Sequence, residues 1–430
     1  MPTASAPGLS DRMHLTIALI AAAAMGVMLI APRASPAVLA LQALAIGTAG
    51  GLAAGWSPLR RLALPALLLL AFCGWSALST IWAADKAEAI NKSALLAVLV
   101  LTAAWSCASV AAMRADLLQR AARASLITAA AALVYLCLEE VTEHALKRLV
   151  FKTLPFTQPF GKQLAETDGD LQVAGYITNR NMAALVLTLW PLLLLARLHL
   201  DRALRAPAIA LAVALAVMAI TLSKHETSLI AVGLGGAILG VSWLWPRIGL
   251  GLLAAGWITA TLLVVPIATW AAHGAKLHNA SWLPNSARHR IVLWAYTAEQ
   301  VWQRPLAGVG AASTKAVDAR RGPRVDNLPG TIYQWRSGPH PHNVYLQTWY
   351  ELGAIGAGLL CAAGLAMIAM LARLPATAVP FGAAVMTAAA VTAAFSWGMW
   401  QAWFLAMFAA ASVLMALAAG LARAVRDRTG

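Results

Sequence analysis

Charge is what this sequence has least of. Aspartate, glutamate, lysine and arginine together make up 11% of its 430 residues, against about 25% in soluble domains, which excludes an ordinary water-soluble globule. Acidic residues are the scarcer kind, 17 against 32 basic ones. The four cysteines, Cys73, Cys107, Cys137 and Cys361, all fall inside apolar runs with no paired spacing. That pattern indicates neither a disulfide framework nor a zinc site, and they read as small buried hydrophobes. No basic stretch outside the apolar segments is interleaved with aromatic residues, so the net charge of +15 carries no signature of nucleic-acid binding. An internal repeat is also missing, which leaves an inverted-repeat transporter without support.

Apolar residues fill the gap. They form 60% of the chain, the mean hydropathy is +0.71, and runs of about 20 residues, the length that crosses a bilayer, recur from end to end. Windows of about 19 residues predict twelve spans, at 13–31, 37–55, 62–82, 93–113, 121–138, 182–198, 207–222, 228–245, 248–270, 345–371, 376–395 and 400–421. The expectation is therefore an all-α integral membrane protein, with 1–430 as a single membrane-embedded domain. The first run lacks a convincing cleavage site and is read as a retained span.

Placing the N-terminus in the cytoplasm puts Arg12, Arg60, Arg61, Arg114, Arg120, Arg123, Arg197, Arg202, Arg205, Arg247, Arg373, Arg423, Arg426 and Arg428 on the cytoplasmic side. The short loops opposite hold Arg33, Lys86, Lys92 and Lys224. By the positive-inside rule both termini are then cytoplasmic. Trp82, Trp270, Trp335 and Trp349 are candidate interface anchors.

Two outward loops stand out by length. One, 139–181, has Glu139, Glu140 and Glu143 near its start and the polar stretch Gly175 to Asn181 at its end. The larger, 271–344, lies between spans nine and ten, and its apolar pattern around Ile291 to Trp302 predicts short folded helices. It carries five of the nine histidines and a net charge of +6, against the positive-inside trend. Arginine forks and lysine point charges are what a phosphate or pyrophosphate on a lipid would need; a long translocated loop also tolerates such charges without any site. Arg320, Arg321 and Arg324 fit the latter use, as topological or lipid-headgroup contacts.

The most informative stretch is Ser337-Gly-Pro-His-Pro-His-Asn-Val-Tyr-Leu-Gln-Thr-Trp-Tyr-Glu-Leu-Gly353. Its glycine and prolines set a turn, and Val344, Leu346, Trp349 and Leu352 begin a helix. His342 then sits near a helix N-terminus, where the dipole and neighbouring arginines favour the neutral imidazole that a general base needs. A pair of histidines capping a helix at the headgroup layer is the plainer reading. Metal binding finds little support, since no His-x-x-x-His or cysteine pair accompanies them.

His342-Asn343-x-x-Leu346-Gln347 followed by Glu351-x-Gly353 resembles the motif of the O-antigen ligase and polymerase superfamily of bacterial membrane proteins. Arg290-x-x-x-Trp294 and Pro305-Leu306-x-Gly308-x-Gly310 resemble its upstream segments, and Gly175-x-x-x-Asn179-x-Asn181 its entry to a span. The order of these motifs over about 175–353 is the specific signal. One departure is Ser223-Lys224-His225-Glu226, where members usually carry Ser-Arg-Gly; lysine keeps the charge and loses the bidentate fork.

The resemblance implies a C-type glycosyltransferase-like arrangement in the bacterial inner membrane, with the 271–344 loop covering a periplasmic active-site cavity. It implies an O-antigen ligase, moving a glycan from undecaprenyl pyrophosphate-linked O-antigen to a sugar hydroxyl of the lipid A core. The transfer would be inverting and would use neither metal nor cofactor. His342 would be the base, with His340, Asn343 and Glu351 in support. Arg290, Arg288, Lys224, Arg180 and Arg336 would hold the pyrophosphate. An O-antigen polymerase or a protein O-oligosaccharyltransferase would use the same machinery. A transporter of anionic lipid needs ionisable residues inside the spans, and the spans hold almost none.

Overall fold

The structure is a computed structural model that describes residues 11–46, 63–111, 113–158, 164–167, 170–321 and 333–429. The second half of the predicted span 37–55, together with Arg60, Arg61, Arg324 and Asp326, lies outside the described residues.

Every predicted span carries a helix. In chain order the helices are α1 (Asp11–Ile30), α2 (Ser35–Ile46), α3 (Leu64–Leu78), α4 (Lys86–Val110), α5 (Ala115–Val141), α6 (Ala145–Thr153), α7 (Asn179–His199) and α8 (Arg202–Leu222). They continue as α9 (Glu226–Leu244), α10 (Pro246–Leu262), α11 (Val264–Thr269), α12 (Asn285–Val301), α13 (Thr314–Arg321), α14 (Val344–Leu371), α15 (Val379–Phe395) and α16 (Ala402–Thr429). Among the described residues eight helices are long and apolar enough to cross a membrane, or nine if the pair α10 and α11, bent by 69°, counts as one span. Pro266 sits in α11 just past that bend; a proline removes a backbone donor and crowds the preceding turn.

The all-helical expectation holds, with one short hairpin besides the helices among the described residues. Within 139–181, β1 (Leu164–Thr167) pairs antiparallel with β2 (Asp170–Val173), Leu164 opposite Val173. Four-residue strands leave too little alternation for a sequence pattern to register.

Local chemistry fixes the helix starts. Asp85 Oδ1 accepts from the Glu88 amide at 3.0 Å, opening α4, and proline occupies the first turn of α3, α10 and α15, where its missing N–H costs nothing. The apolar window of α7 is 83% buried inside the protein, against 17% for α8, so α7 runs through the middle of the bundle. Its Met182, Leu187 and Leu194 share one core with Leu136, Phe404 and Met407. Leu204, Leu211, Leu229, Leu234 and Leu252 face outward from α8, α9 and α10, as a surrounding lipid phase favours.

The chain alternates direction, so one end of the bundle collects several functional termini. There Asn181 Nδ2 donates to Leu29 O and Ile30 O, each at 2.7 Å, and Thr227 Oγ1 donates to Phe395 O at 3.3 Å. The C-terminal ends of α1, α8 and α15 thus meet the N-terminal ends of α7 and α9. The 271–344 segment carries α12 and α13. Among the proposed anchors Trp335 is a correction: it is buried, packed edge-on against His273 and Tyr296. Trp349 is turned inward, its Nε1 donating to Thr261 O at 2.7 Å.

Candidate active site

The Pro339-to-Asn343 turn lies at this shared end. Asn343 Oδ1 accepts from the Leu346 amide at 3.0 Å and caps α14, so its side chain serves the helix start. Just before it, His342 takes a left-handed backbone conformation, φ 56°, uncommon for a residue with a Cβ and frequent at strained functional positions. The turn is held from two sides. Trp294 Nε1, on α12, donates to Pro341 O at 2.7 Å, and His342 Nδ1 lies 2.6 Å from Ser396 O, after α15.

That second contact sets the tautomer. A carbonyl oxygen can only accept, so Nδ1 carries the proton and Nε2 of the neutral ring keeps its lone pair. The His340 ring lies 4.2 Å from that of His342. Its Nδ1 accepts from the His342 amide at 3.3 Å, and its Nε2 faces the Gln401 side chain at 3.4 Å.

Burial keeps these rings neutral. Loss of hydration holds His342 down to about 4; the Ser396 carbonyl pulls the other way, and Arg290 and His289 depress it further. Burial, His342 and Arg290 hold His340 down to about 3. A third imidazole, His225 at the start of α9, is held down to about 4 by burial and then Arg290. Its Nδ1 is 2.7 Å from Ser228 Oγ. Arg290 is the common element, one turn before Trp294 on the same face of α12. Burial lowers its own affinity for a proton, and Glu226 is the carboxylate that offsets this. A cation kept in a half-buried setting beside neutral bases is arranged for an anion that arrives from outside.

The other sequence-predicted residues divide. Arg180 stacks over Trp403 at 5.2 Å; Trp403 meets Trp397 at 4.8 Å, and Trp397 meets His225 at 5.8 Å. An aromatic path thus joins Arg180 to the histidine and Arg290 group. Lys224 is exposed, in a left-handed turn with φ 55°, next to His225. Arg288 is turned to the Asn285 side chain on its own helix. Arg336 is not brought to the group: it pairs with buried Asp318, with Nε to Oδ2 at 3.0 Å, and that partner holds its charge on.

Glu351 is fully buried on α14 and also stands apart from the histidines. Its carboxylate accepts from the Ala312 amide at 2.7 Å, the Thr314 amide at 3.2 Å, Gln347 Nε2 at 3.0 Å, the Thr314 hydroxyl and the Trp400 indole. Gln347 Oε1 in turn accepts from the Met399 amide at 3.0 Å. The pair braces the loops at 308–314 and 396–400 against α14. Arg320 and Arg321, both exposed, also bond to protein, with Ala84 O at 2.8 Å and Gln303 Oε1 at 2.9 Å.

The glycine motif explains itself at the same crossing. Gly353 has φ 65° inside α14, and a Cβ there would lie 2.2 Å from Leu306 O. The helix opens, and Val309 N and Gly310 N take Tyr350 O and Glu351 O at 3.0 and 2.8 Å. The sequence reading missed His225, Ser396, Trp397, Gln401 and Trp403. For Ser396, Trp397, Gln401 and nearby Trp403 the signal was the short polar and aromatic break Ser396-Trp-Gly-Met-Trp-Gln401 between two apolar runs; for His225 it was the polar turn Ser223-Lys224-His225-Glu226. Among the described residues no three His, Cys, Asp or Glu side chains converge as metal ligands would.

The sequence pattern of the O-antigen ligase family matches residues 211–361, from α8 into α14, which includes Lys224, Arg290, Trp294, His342 and Glu351. A protein of Rickettsia conorii named as a candidate polysaccharide ligase is 30% identical over 138 residues, 32% of this chain and 33% of that protein. Similarly named proteins of Rickettsia felis and Rickettsia bellii are 29% identical over 182 residues and 30% identical over 186. These matches cover 42% and 43% of this chain and 43% and 44% of theirs. The chain thus spans a third to under half the length of the curated relatives it matches.

Proposed function

We infer that this chain, which belongs to the O-antigen ligase family through residues 211–361, transfers a glycan from undecaprenyl pyrophosphate to a sugar hydroxyl of the lipid A core. The observation that carries this reading is the neutral His342, with Nδ1 committed to Ser396 O and Arg290 acting on the same ring. Twelve spans, a C-type glycosyltransferase-like arrangement, cytoplasmic termini and a site on the periplasmic face of the inner membrane, under the 271–344 segment, complete the proposal.

In the proposed step the acceptor hydroxyl gives its proton to His342 Nε2 as its oxygen bonds to the anomeric carbon. The bond from that carbon to the pyrophosphate oxygen breaks, and its electron pair leaves with the pyrophosphate. Attack opposite the leaving group inverts the anomeric centre. Arg290 stabilises the departing charge, with Arg180 and Lys224 at the rim. A residue held near 4 when the site is empty is a weak base. Seating the pyrophosphate beside Arg290 brings negative charge that raises the proton affinity of His342, so donor binding itself activates the base. Arg288 is available as a reserve cation, and Arg336, Asn343 and Glu351 act through the scaffold.

The test is transfer by the purified protein in nanodiscs, from an undecaprenyl pyrophosphate-linked glycan to lipid A core, comparing the parent with His342→Ala. Activity in the parent, lost in the variant with donor binding retained, supports the reading. Extension of a lipid-linked repeat, or glycosylation of a protein instead, keeps the chemistry and moves the acceptor. Undiminished turnover by His342→Ala removes it as the base.

A further inference from the structure

Behind the turn that carries Lys224 lies a cavity of about 820 Å³, lined by Glu140, Glu143, His144, Arg148, Asn179 and Lys224, with Val173, Tyr176 and Leu222 adding apolar wall. The chemistry at His342 gives it no task. It shares two walls with that site. Lys224 lines the cavity while the next residue, His225, faces Trp397; Asn179 lines it while the next residue, Arg180, lies over Trp403.

His144 is the informative side chain. It is 6% exposed, lines the cavity, and its Nδ1 makes no hydrogen bond; the nearby carboxylate oxygen, Glu139 Oε2, stands at 3.8 Å. Asn179 Oδ1 is also buried without a partner. Buried polar groups are costly when unsatisfied and are ordinarily paired, so partners delivered by a ligand are the natural completion. Glu143, His144 and Lys224 all hold left-handed backbones, with φ 50°, 67° and 55°, a conformation that concentrates where side chains must be aimed at a ligand.

The lining selects the ligand class. Arg148 and Lys224 repel a metal cation, Glu140 and Glu143 repel a bare phosphate, and these four charges disfavour an acyl chain, while the apolar wall suits the C–H faces of a sugar ring. Interspersed carboxylate acceptors and cationic or amide donors match sugar hydroxyls, which both give and take hydrogen bonds. We propose that this cavity is a saccharide subsite that holds the glycan of one substrate through Glu140, His144 and Arg148, beside the reacting sugar at His342. The use of the bound sugar rests on the transferase reading; the binding itself does not.

The experiment is equilibrium binding of two fluorescently tagged, lipid-free oligosaccharides, one from the lipid A core and one an O-antigen repeat, to the protein in nanodiscs. At least one binds the parent, and the one that binds identifies which substrate the cavity serves. Glu140→Gln and Arg148→Gln each weaken that affinity about tenfold, the scale of one charge-assisted hydrogen bond. Thermal unfolding checks that both variants remain folded. Binding of neither probe, or parental affinity in both folded variants, overturns the proposal. Binding without any transfer leaves the subsite standing and removes the transferase reading instead.

Discussion

The indole of Trp294 donates to the carbonyl of Pro341 at 2.7 Å, the residue immediately before His342. One face of α12 therefore supplies both the cation of the site, Arg290, and the strut that holds the turn bearing the base. Trp294→Phe keeps the ring and removes the donor. Misplacement of a reacting group by a fraction of an ångström is felt mainly in the chemical step, so kcat should fall about tenfold with the KM for donor nearly unchanged. Steady-state kinetics with varied donor checks this. A matched loss in KM instead would make Trp294 a binding residue.

Three imidazoles held neutral by burial predict a pH dependence of stability. His225 and His342 are depressed to about 4 and His340 to about 3, from an ordinary 6.5. As pH falls below 6.5 the unfolded chain takes up these protons before the folded one does, so stability is lost progressively from 6.5 down to about 4 for His225 and His342 and about 3 for His340, and is fully present above that window. Unfolding temperatures measured from pH 7.5 to 4.5 should drop along this range. His225→Asn removes one titrating group and should flatten the slope; an unchanged slope would mean that His225 is not held neutral.

How much of this was legible depended on distance along the chain. The apolar pattern predicts a span at 345–371, and α14 is Val344–Leu371. Prediction of 207–222 misses the first turns of α8, which starts at Arg202, because a hydropathy window cannot see polar residues that extend a helix beyond its apolar stretch. His342 and its cap, Asn343, were readable since glycine, prolines and Asn343 lie within a few residues. The brace at Glu351 was not: its partners Thr314 and Trp400 are 37 and 49 residues away. Nothing in the composition of the 271–344 segment says that Arg336 pairs with Asp318 while Arg290 is left with the weaker influence of Glu226, from outside the segment.

Glu351 offers the sharpest separation of scaffold from chemistry. Five donors converge on its carboxylate, so Glu351→Gln turns an amide N–H₂ toward at least one donor inside a fully buried pocket. The cost should be about 2–3 kcal/mol, read as a fall of several degrees in unfolding temperature. Transfer measured well below the new transition should recover in proportion to the folded fraction. Loss of transfer with an unchanged unfolding temperature would place Glu351 in the chemistry after all.

Arg290 and Arg336 should respond in opposite ways to the same substitution. Arg290 is half-buried and makes no tight ion pair like that of Arg336, Glu226 only partly offsetting its desolvation, so Arg290→Gln relieves a desolvated cation and should leave stability nearly unchanged, while transfer falls by about 100-fold or more as the leaving group loses its stabiliser. Arg336→Gln strands Asp318, whose side chain is 4% exposed. With Arg336 itself 31% exposed, solvent softens the loss to about 1–2 kcal/mol, and transfer per folded molecule should persist. Measuring unfolding temperature and initial rate on both variants decides the matter. A destabilised Arg290→Gln would make that arginine a structural ion, and a folded but inactive Arg336→Gln would return Arg336 to the pyrophosphate.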